Sequence, residues 1–266
     1  MRRFLLLSTV LLLLGLTTGL LAFQRGMFGD FAEGHPAPFP PDGYEKTEFA
    51  FARLRYTGMG RRGFYGRGFE WWATDYPKAD RTFVLGVRRL TRLHTRSAEQ
   101  VVDVDSDEIY NWPWVYAEQA GGIWQLTDAE AQRLRTYLLR GGFLMLDDLH
   151  GDYQTELVLQ GVHKIFPDRT IEDLPNDDSI FHVVYDLDQR IKIPGTRHLG
   201  VVLPADQVQP HWWGVRDDHG RVVLAICQNS DVGDAWEWAD NPRYPEREAS
   251  FAYRLGINYI IYAMTH

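Results

Sequence analysis

The sequence lacks several features that identify large classes of protein. It holds a single cysteine, Cys227, which excludes an intramolecular disulfide framework and every cysteine-rich zinc module. Basic residues are also few, with 28 Lys and Arg against 36 Asp and Glu and a formal net charge of −8. Because nucleic-acid binding needs a clustered basic face, this balance argues against a nucleic-acid partner.

The common signatures of catalysis and nucleotide binding are also missing. No G-x-S-x-G elbow and no G-x-x-x-x-G-K-[ST] loop occurs in the sequence. Cys227 lies inside the apolar run 222–227, which predicts an inert core thiol rather than a nucleophile. Nucleophilic catalysis and phosphate-loop chemistry therefore have little support.

Aromatic residues, by contrast, are abundant. They make up 14% of the chain, with nine Trp, 13 Tyr and 14 Phe, in an otherwise ordinary globular composition. Such a content fits a large core, a stacking surface for sugars or partners, or both. Six of the tryptophans fall in or beside loops that follow predicted strands, which favours a pocket or an interface: Trp71, Trp72, Trp112, Trp114, Trp236 and Trp238.

The N-terminus reads as an export segment. Arg2 and Arg3 precede an uncharged, mostly apolar run over residues 4–23, a length that fits either a secretory signal or an uncleaved membrane anchor. We therefore expect an exported protein, periplasmic or anchored to the membrane and facing the periplasm. Residues 24–47 are rich in Gly and Pro and predict a tether, so the folded domain is expected over residues 48–266.

Within that domain, strand-like and helical patterns alternate. Strands are predicted at residues 48–56, 101–104, 110–116, 143–146, 181–187, 201–203 and 220–228, and helices at 79–93, after Thr127, at 153–166 and at 251–264. Thr127 and Glu130 form a capping box, with Leu134, Leu138 and Leu139 as the buried stripe of that helix. The alternation predicts one α/β domain with a mainly parallel sheet.

One segment of this domain, residues 58–68, is rich in Gly and Arg and predicts a mobile loop. Its Arg61, Arg62 and Arg67 could meet an anion or acidic lipid head groups, but a solvated, flexible loop is the commoner explanation.

Polar residues gather where the predicted strands end, which is where open parallel sheets bind their ligands. The first such cluster, Asp147, Asp148 and His150, directly follows the most apolar strand. Adjacent carboxylates with a nearby imidazole could bind a divalent metal or supply a general acid and base, with Asp148 and His150 as the catalytic candidates. The alternative is that an aspartate caps the next helix and His150 lines the loop.

Two further clusters have the same character. Asn229, Asp231, Asp234, Trp236 and Glu237 follow the Cys227 strand but lack the spacing of an EF-hand, and a turn with its tryptophans in the core explains them equally. The other cluster precedes the first predicted helix. Its aromatic rings could stack on a sugar or a partner and Asp75 could cap the helix, and we predict that it lines a pocket: Trp71, Trp72, Asp75 and Tyr76.

Five segments in order resemble the DUF4159 family, a bacterial domain of unknown function. They are R-L-R-Y-T-G from Arg53, W-A-T-D-Y-P-K-A-D from Trp72, G-G-F-L-M-L-D-D-L-H-G from Gly141, N-S-D-V-G-D-A-W-E-W from Asn229 and the ending from Tyr253. The resemblance covers residues 48–266. It implies a flavodoxin-like, class I glutamine amidotransferase-like three-layer sandwich.

That fold places a nucleophile elbow after a central strand, and here the equivalent position is Asp147 or Asp148. A carboxylate cannot replace the thiolate of glutamine hydrolysis, so the resemblance implies no amidotransferase chemistry. It leaves a pocket at the carboxyl edge of the sheet, lined by Asp75, Asp147, Asp148, His150, Asn229, Asp231 and Asp234.

Two functions remain open from the sequence. The first is a non-catalytic envelope module that binds a small molecule, a glycan or an envelope protein through this acidic and aromatic pocket. The second is a hydrolase or lyase acting on carbohydrate or cell-wall material through Asp148 and His150. No cofactor is predicted, but a divalent metal on Asp147, Asp148 and His150 is compatible with the second function.

Overall fold

The computed structural model describes residues 38–56, 71–120, 124 and 126–266. The predicted export segment, the first part of the predicted tether and the Gly/Arg-rich loop lie outside these residues. Within the described parts of the chain, no helix combines the length and apolar character needed to cross a membrane.

The described residues contain one sheet of seven strands in the order β2-β1-β3-β4-β7-β6-β5. Neighbouring strands from β2 to β7 are parallel, and β6 and β5 continue the sheet antiparallel. The strands are β1 Ala52–Arg55, β2 Gln100–Asp103, β3 Trp114–Ala117, β4 Phe143–Leu149, β5 Ile171–Asp173, β6 His211–Arg216 and β7 Val222–Gln228. The predicted α/β class with a mainly parallel sheet is confirmed.

Five α-helices accompany this sheet in the part of the chain that the structure describes. They are α1 Lys78–Leu90, α2 Asp128–Leu139, α3 Gly151–Ile165, α4 Val232–Glu237 and α5 Glu246–Thr265. The start of α2 confirms the predicted capping box, because the Glu130 amide donates to Thr127 Oγ1 at 3.2 Å and the Thr127 amide donates to Glu130 Oε2 at 2.7 Å. Leu139, however, is 40% exposed, and the buried residues of this helix are Ala131, Leu134, Tyr137 and Leu138.

Helices pack on both faces of the sheet because successive strand residues point to opposite sides. On one face, Leu144 and Leu146 of β4 share a core with α2 and α3. On the other face, Phe51, just before β1, packs edge-on against Phe83 of α1 and Trp236 of α4. The same face of β4 carries Phe143, which contacts Tyr259 and Tyr262 of α5. Cys227 is fully buried in β7, and burial raises the pKa of its thiol well above the usual range.

Three predicted strands differ from those observed. The predicted strand 110–116 is split into a 3₁₀ turn, Asp107–Asn111, and β3. Residues 181–187 form no strand, because Asn258 Oδ1 accepts the backbone N–H groups of Val184 and Tyr185 and so takes the place of a neighbouring strand. Residues 201–203 are irregular, and Val202 is 96% exposed there.

The central strand β4 is longer than predicted. It was expected to stop before the aspartates, but it continues through Asp147 and Asp148 to Leu149. The pairing with β7 shifts register between Leu146 and Leu149, and Asp148 adopts a positive φ of 51°. The two carboxylates therefore belong to the buried end of the strand rather than to a loop after it.

The domain begins earlier than predicted. Asp42, placed by the sequence in the tether, accepts hydrogen bonds from the amide and the hydroxyl of Ser97 at 3.0 and 2.8 Å. Residues 38–47 therefore join the compact unit that spans residues 38–266.

Candidate metal centre

Carboxylates from four separate segments meet at the carboxyl end of the parallel strands. Glu118 follows β3, Asp147 and Asp148 end β4, Asp231 and Asp234 follow β7, and Asp75 precedes α1. We call these six residues the acidic centre. Together with His150, these residues form three overlapping groups that all contain Asp231. Within each group, one ligand atom per residue lies within 4.8 Å of the others. The groups are Glu118, Asp147 and Asp231; Asp75, Asp231 and Asp234; and Asp148, His150 and Asp231.

The most buried group is Glu118, Asp147 and Asp231, whose exposed fractions are 0%, 0% and 6%. Oxygen ligands lie about 2.3–2.6 Å from Ca²⁺, so two oxygens bound to one ion are at most about 5 Å apart. The spacing within this group is therefore short enough for all three side chains to bind a single cation.

Asp147 is held in place through one of its two oxygens. Its Oδ2 accepts hydrogen bonds from the Tyr116 hydroxyl at 2.7 Å and from the Gly233 amide at 2.9 Å. Its Oδ1 is buried and has no hydrogen-bond partner among the described residues. A buried carboxylate oxygen without a donor is costly unless a cation or a proton meets it.

Glu118 repeats this arrangement. Its Oε2 lies within hydrogen-bond distance of the same Tyr116 hydroxyl, whose single proton serves only one of the two carboxylates at a time. Its buried Oε1 has no partner in the part of the chain that the structure describes. The nearest described cation is Arg53, whose Nη1 lies 3.9 Å from Glu118 Oε2. The Arg53 guanidinium already binds the buried carboxylate of Asp80, with Nε 2.9 Å from Oδ2. One guanidinium cannot balance Asp80 and the acidic centre together.

The second group is more fully hydrogen-bonded. Asp234 Oδ2 accepts the amide and hydroxyl of Thr196 at 2.6 and 2.9 Å, and its Oδ1 accepts the Trp238 indole N–H at 3.2 Å. Asp231 caps α4 by accepting the Asp234 amide at 2.8 Å. Asp75 has a positive φ of 59°, and its Oδ2 is buried without a described hydrogen-bond partner. Asp75 is thus available to a ligand, whereas Asp234 is engaged.

The third group joins a carboxylate to an imidazole. Asp148 Oδ1 lies 2.9 Å from His150 Nε2, and Gln119 Nε2 donates to the other carboxylate oxygen. The His150 ring meets the His198 ring edge-to-face, with ring centroids 4.5 Å apart. An Asp–His pair of this kind can orient an imidazole for proton transfer.

Gly233 allows the backbone of α4 to approach the acidic centre. A Cβ at this position would lie 2.6 Å from Glu118 Oε2 and 2.7 Å from the Tyr116 hydroxyl. It would also lie 3.1 Å from Asp75 Oδ2, which brings Asp75 beside the most buried group. Glycine is therefore required here for close approach.

Burial and mutual repulsion favour the protonated forms of these carboxyl groups. Burial raises the pKa of Asp147 to about 7, with the neighbouring charge of Asp148 acting in the same direction. Burial, followed by the charge of Asp147, raises the pKa of Glu118 well above its usual range. Burial also raises the pKa of Asp231, helped next by Asp148, and that of Asp75, helped next by Asp234. A bound cation would reverse this preference.

The predicted site residues divide into two sets. The structure brings together the acidic and imidazole candidates, namely Asp75, Asp147, Asp148, His150, Asp231 and Asp234. Asn229 lies at the same edge but is fully engaged, because its Oδ1 accepts the Gly151 amide and its Nδ2 donates to the carbonyls of Asp206 and Gln209. Its role in the structure is to hold the loop after β7.

The aromatic candidates lie mostly in the core. Trp236 is fully buried and stacks on Phe83 with ring centroids 4.1 Å apart, so it offers no face to a ligand. Trp72 is 9% exposed and packs against the half-buried Tyr76, with ring centroids 5.4 Å apart. Only Trp71 of these four exposes a substantial part of its surface, at 40%. Trp72 and Trp236 therefore present little surface to a ligand at this edge.

Several residues of the centre were not predicted. Glu118, Gln119 and Tyr116 lie at or just beyond the end of the predicted strand 110–116, so the strand-end rule that selected Asp147 applies to them as well. His198 lies in the short 3₁₀ segment Thr196–His198, and its spacing along the chain gives no signal of its contact with His150.

A family model described as "Domain of unknown function (DUF4159)" matches residues 50–264 of this chain. No curated protein matches the sequence.

Proposed function

The chain belongs to the DUF4159 family, and from the geometry of its acidic centre we propose that it binds a divalent cation there. One observation carries the proposal. Glu118 and Asp147 are completely buried within 4.8 Å of Asp231, and each has a buried oxygen with no described hydrogen-bond partner. Carboxylates in this condition are stabilised by a cation that binds several of them at once.

The donor set favours a hard cation. The three most buried ligands are carboxylates, and Asp75 adds a fourth oxygen donor beside them. Carboxylate oxygens suit Ca²⁺, Mg²⁺ and Mn²⁺, whereas structural zinc sites are built from thiolate and imidazole ligands. We propose Ca²⁺ or Mn²⁺ as the occupant, because both accept several carboxylates in a protein site.

A cation in this position gives the domain a means of binding an external ligand. Three or four carboxylates leave further coordination positions on Ca²⁺, which takes six to eight oxygen ligands. Hydroxyl, carboxylate or carbonyl oxygens of a small molecule, a glycan or an envelope protein would complete the shell. The proposal is thus a cation-dependent binding module, and the buried Cys227 thiol agrees with a role that needs no thiolate.

A hydrolase or lyase is the second candidate, and one contact favours it. Asp148 sits at the end of β4 with a φ of 51°, and its carboxylate orients His150 at 2.9 Å. Backbone strain at a polar residue beside an imidazole is frequent at catalytic centres. As a hydrolase or lyase, the protein would use His150 to accept a proton from the substrate or water or to donate one, while Asp148 holds the imidazole ring next to the bound cation.

The finer fold assignment is also a proposal. Renumbered along the chain, the five parallel strands have the order 2-1-3-4-5, which is that of flavodoxin-like sheets. In that topology the ligand crevice opens between the first and third strands, and Glu118 follows the third strand here. The order supports the flavodoxin-like assignment that the sequence resemblance implied.

Export remains a proposal that rests on the charged and apolar pattern of residues 1–23. Outside the cytoplasm, a calcium-loaded centre has a ready supply of its ion, since extracellular modules function with weak calcium sites. Retention of the segment would tether the domain to the membrane, and its removal would release it.

Isothermal titration calorimetry of the metal-stripped protein with Ca²⁺ and with Mn²⁺ tests the proposed function. Wild type should bind one ion, and Asp147→Asn or Glu118→Gln should weaken binding at least about tenfold, or about 1.4 kcal/mol. Asp128→Asn, at a side chain that is 94% exposed, is the matched control and should bind as wild type does.

The competing hypothesis is that arginine side chains, rather than a cation, neutralise the carboxylates of the acidic centre. If wild type takes up neither ion, the proposal fails. A lower Tm after replacement of Arg61, Arg62 and Arg67 by Ala would then support the ion-pair hypothesis. If all variants bind as wild type does, the cation is bound elsewhere and the proposal also fails.

A further inference from the structure

The described residues also line a cavity that includes none of the carboxylates of the acidic centre. This cavity of about 530 Å³ is bounded by α3, β6 and the 3₁₀ segment Ala205–Gln207. Its volume is within the range of small-molecule sites in proteins. We propose that this groove binds a sugar ring, through Trp213 as a stacking surface and Gln228 with neighbouring carboxylates as hydrogen-bonding groups.

The stacking surface is built by the alternation of β6. His211 and Trp213 are two residues apart and face the cavity, whereas Trp212 between them is only 2% exposed and packs against Phe251 on the opposite face. The two cavity rings lie 5.7 Å apart at 32°. His211 is fixed by Asp173, whose Oδ2 lies 3.0 Å from Nδ1. Half-buried, oriented rings of this kind suit the apolar C–H face of a pyranose.

Gln228 supplies the observation that points to a ligand. The residue is 4% exposed, and its Nε2 donates to Thr155 Oγ1 at 2.8 Å, which fixes the orientation of the amide. Its Oε1 is buried and has no hydrogen-bond partner among the described residues, and the residue is part of the cavity lining. A buried acceptor without a donor is expensive, and a ligand hydroxyl would provide that donor.

The charges around the groove select among polar ligands. Asp152, Glu156 and Asp206 line it, and the described lining residues include neither Lys nor Arg. Carboxylates accept hydrogen bonds from hydroxyl groups and repel anions. The expected ligand is therefore a neutral sugar, and phosphorylated or uronic-acid sugars are disfavoured.

This inference does not depend on the acidic centre. The groove and the acidic centre share no residue, and Asn229, which lines the groove, is held by backbone groups of Gly151, Asp206 and Gln209. Failure of cation binding would leave the sugar site intact, and the reverse also holds.

Saturation-transfer NMR with maltose, cellobiose and N,N′-diacetylchitobiose, followed by calorimetric titration of any responding sugar, tests the proposal. At least one of these probes should bind with a Kd below about 10 mM, a weak but measurable affinity. Binding should persist in EDTA, which separates this site from the cation site. It should weaken at least about tenfold in Trp213→Ala and in Gln228→Leu. Tyr44→Ala, at an exposed aromatic ring outside the groove, should bind as wild type does.

If Trp213→Ala or Gln228→Leu fails to fold, Asp152→Asn and Glu156→Gln test sugar binding instead, because both side chains are exposed. Each should weaken the sugar contact without lowering Tm. Three results would overturn the proposal: no response to any of the three sugars, equal loss in Tyr44→Ala, or a groove that binds choline or spermidine and no sugar.

Discussion

The amide of Gly233 donates a hydrogen bond of 2.9 Å to Oδ2 of Asp147. This contact joins the start of α4 to the end of the central strand β4, 86 residues apart in sequence. It satisfies one oxygen of a fully buried carboxylate and leaves the other, Oδ1, without a described donor. Backbone geometry as well as side chains therefore fixes the position of the Asp147 carboxylate.

Gly233→Ala should disrupt this contact. Its Cβ would lie 2.6 Å from Glu118 Oε2, closer than real Cβ contacts allow, so α4 or Glu118 must move. We expect cation affinity to fall at least about tenfold in calorimetry, together with a loss of stability of about 1–3 kcal/mol.

Gly161→Ala provides the control for that substitution. In the α3 interior, a Cβ at Gly161 would meet Trp124 at an ordinary distance of 3.6 Å. This change should stabilise the protein by up to about 1 kcal/mol in urea unfolding and leave cation binding unchanged. Equal cation affinity in the two variants would contradict the role given to Gly233.

The stability of the cation-free protein should fall as pH rises. Burial raises the pKa of Asp147 to about 7, so the folded state binds its proton more tightly than the unfolded state does. The stability that this proton gives is present in full below the unfolded pKa of about 4 and is lost by the time pH passes the folded pKa. The free energy of unfolding, measured in urea with EDTA, should therefore be lower at pH 8 than at pH 5.

Two comparisons check this pH dependence. Saturating Ca²⁺ should reduce the decline, because the cation favours the ionised carboxylates. Asp147→Asn removes the titrating group and should also flatten the slope. A slope that is identical in wild type and Asp147→Asn would show that other groups cause it.

Removal of one partner from the buried pair of Arg53 and Asp80 should be strongly destabilising. Both side chains are fully buried, and the guanidinium also donates to the carbonyls of Trp72 and Thr74 at 3.1 and 2.9 Å. Arg53→Met leaves Asp80 buried without its partner and should cost about 3–5 kcal/mol in denaturant unfolding. Arg55→Met, at a half-exposed pair with Asp103, should cost less than about 1 kcal/mol.

Asp148→Asn separates the two candidate functions. Asn tolerates the positive φ of 51° and keeps an acceptor for the neighbouring side chains, while one negative charge leaves the acidic centre. Cation binding should remain within about tenfold of wild type, because the most buried group does not include this residue. Release of reducing ends from peptidoglycan by wild type but not by Asp148→Asn would establish the hydrolase. Absence of turnover in both favours the binding module.

Much of the fold could be predicted because it depends on local patterns. The capping box of Thr127 and Glu130 and the apolar run of β4 are signals contained in a few residues. Strand β6 was missed although it pairs with the next strand along the chain, Trp212 with Cys227. Strand β5 was missed because it has only three residues and pairs with a distant partner, Glu172 with Gly214. Short strands at the edge of a sheet carry little pattern of their own.

The acidic centre, too, was predictable only in part. The carboxylates after β4 and β7 could be found from the rule that ligands bind at strand ends, and they converge as that rule requires. Glu118 was overlooked although the same rule covers it. The tryptophans were misjudged because their position along the chain says nothing about depth: Trp114 and Trp236 lie beside strand ends but are fully buried.

Anomalous diffraction from crystals grown with Mn²⁺ tests the central claim most directly. We expect one strong peak within about 2.5 Å of carboxylate oxygens from Glu118, Asp147 and Asp231. This peak should be absent from crystals of Asp147→Asn. Two results would contradict cation binding at the acidic centre. One is a peak located only at surface carboxylates, and the other is an arginine of residues 57–70 bound to these three carboxylates.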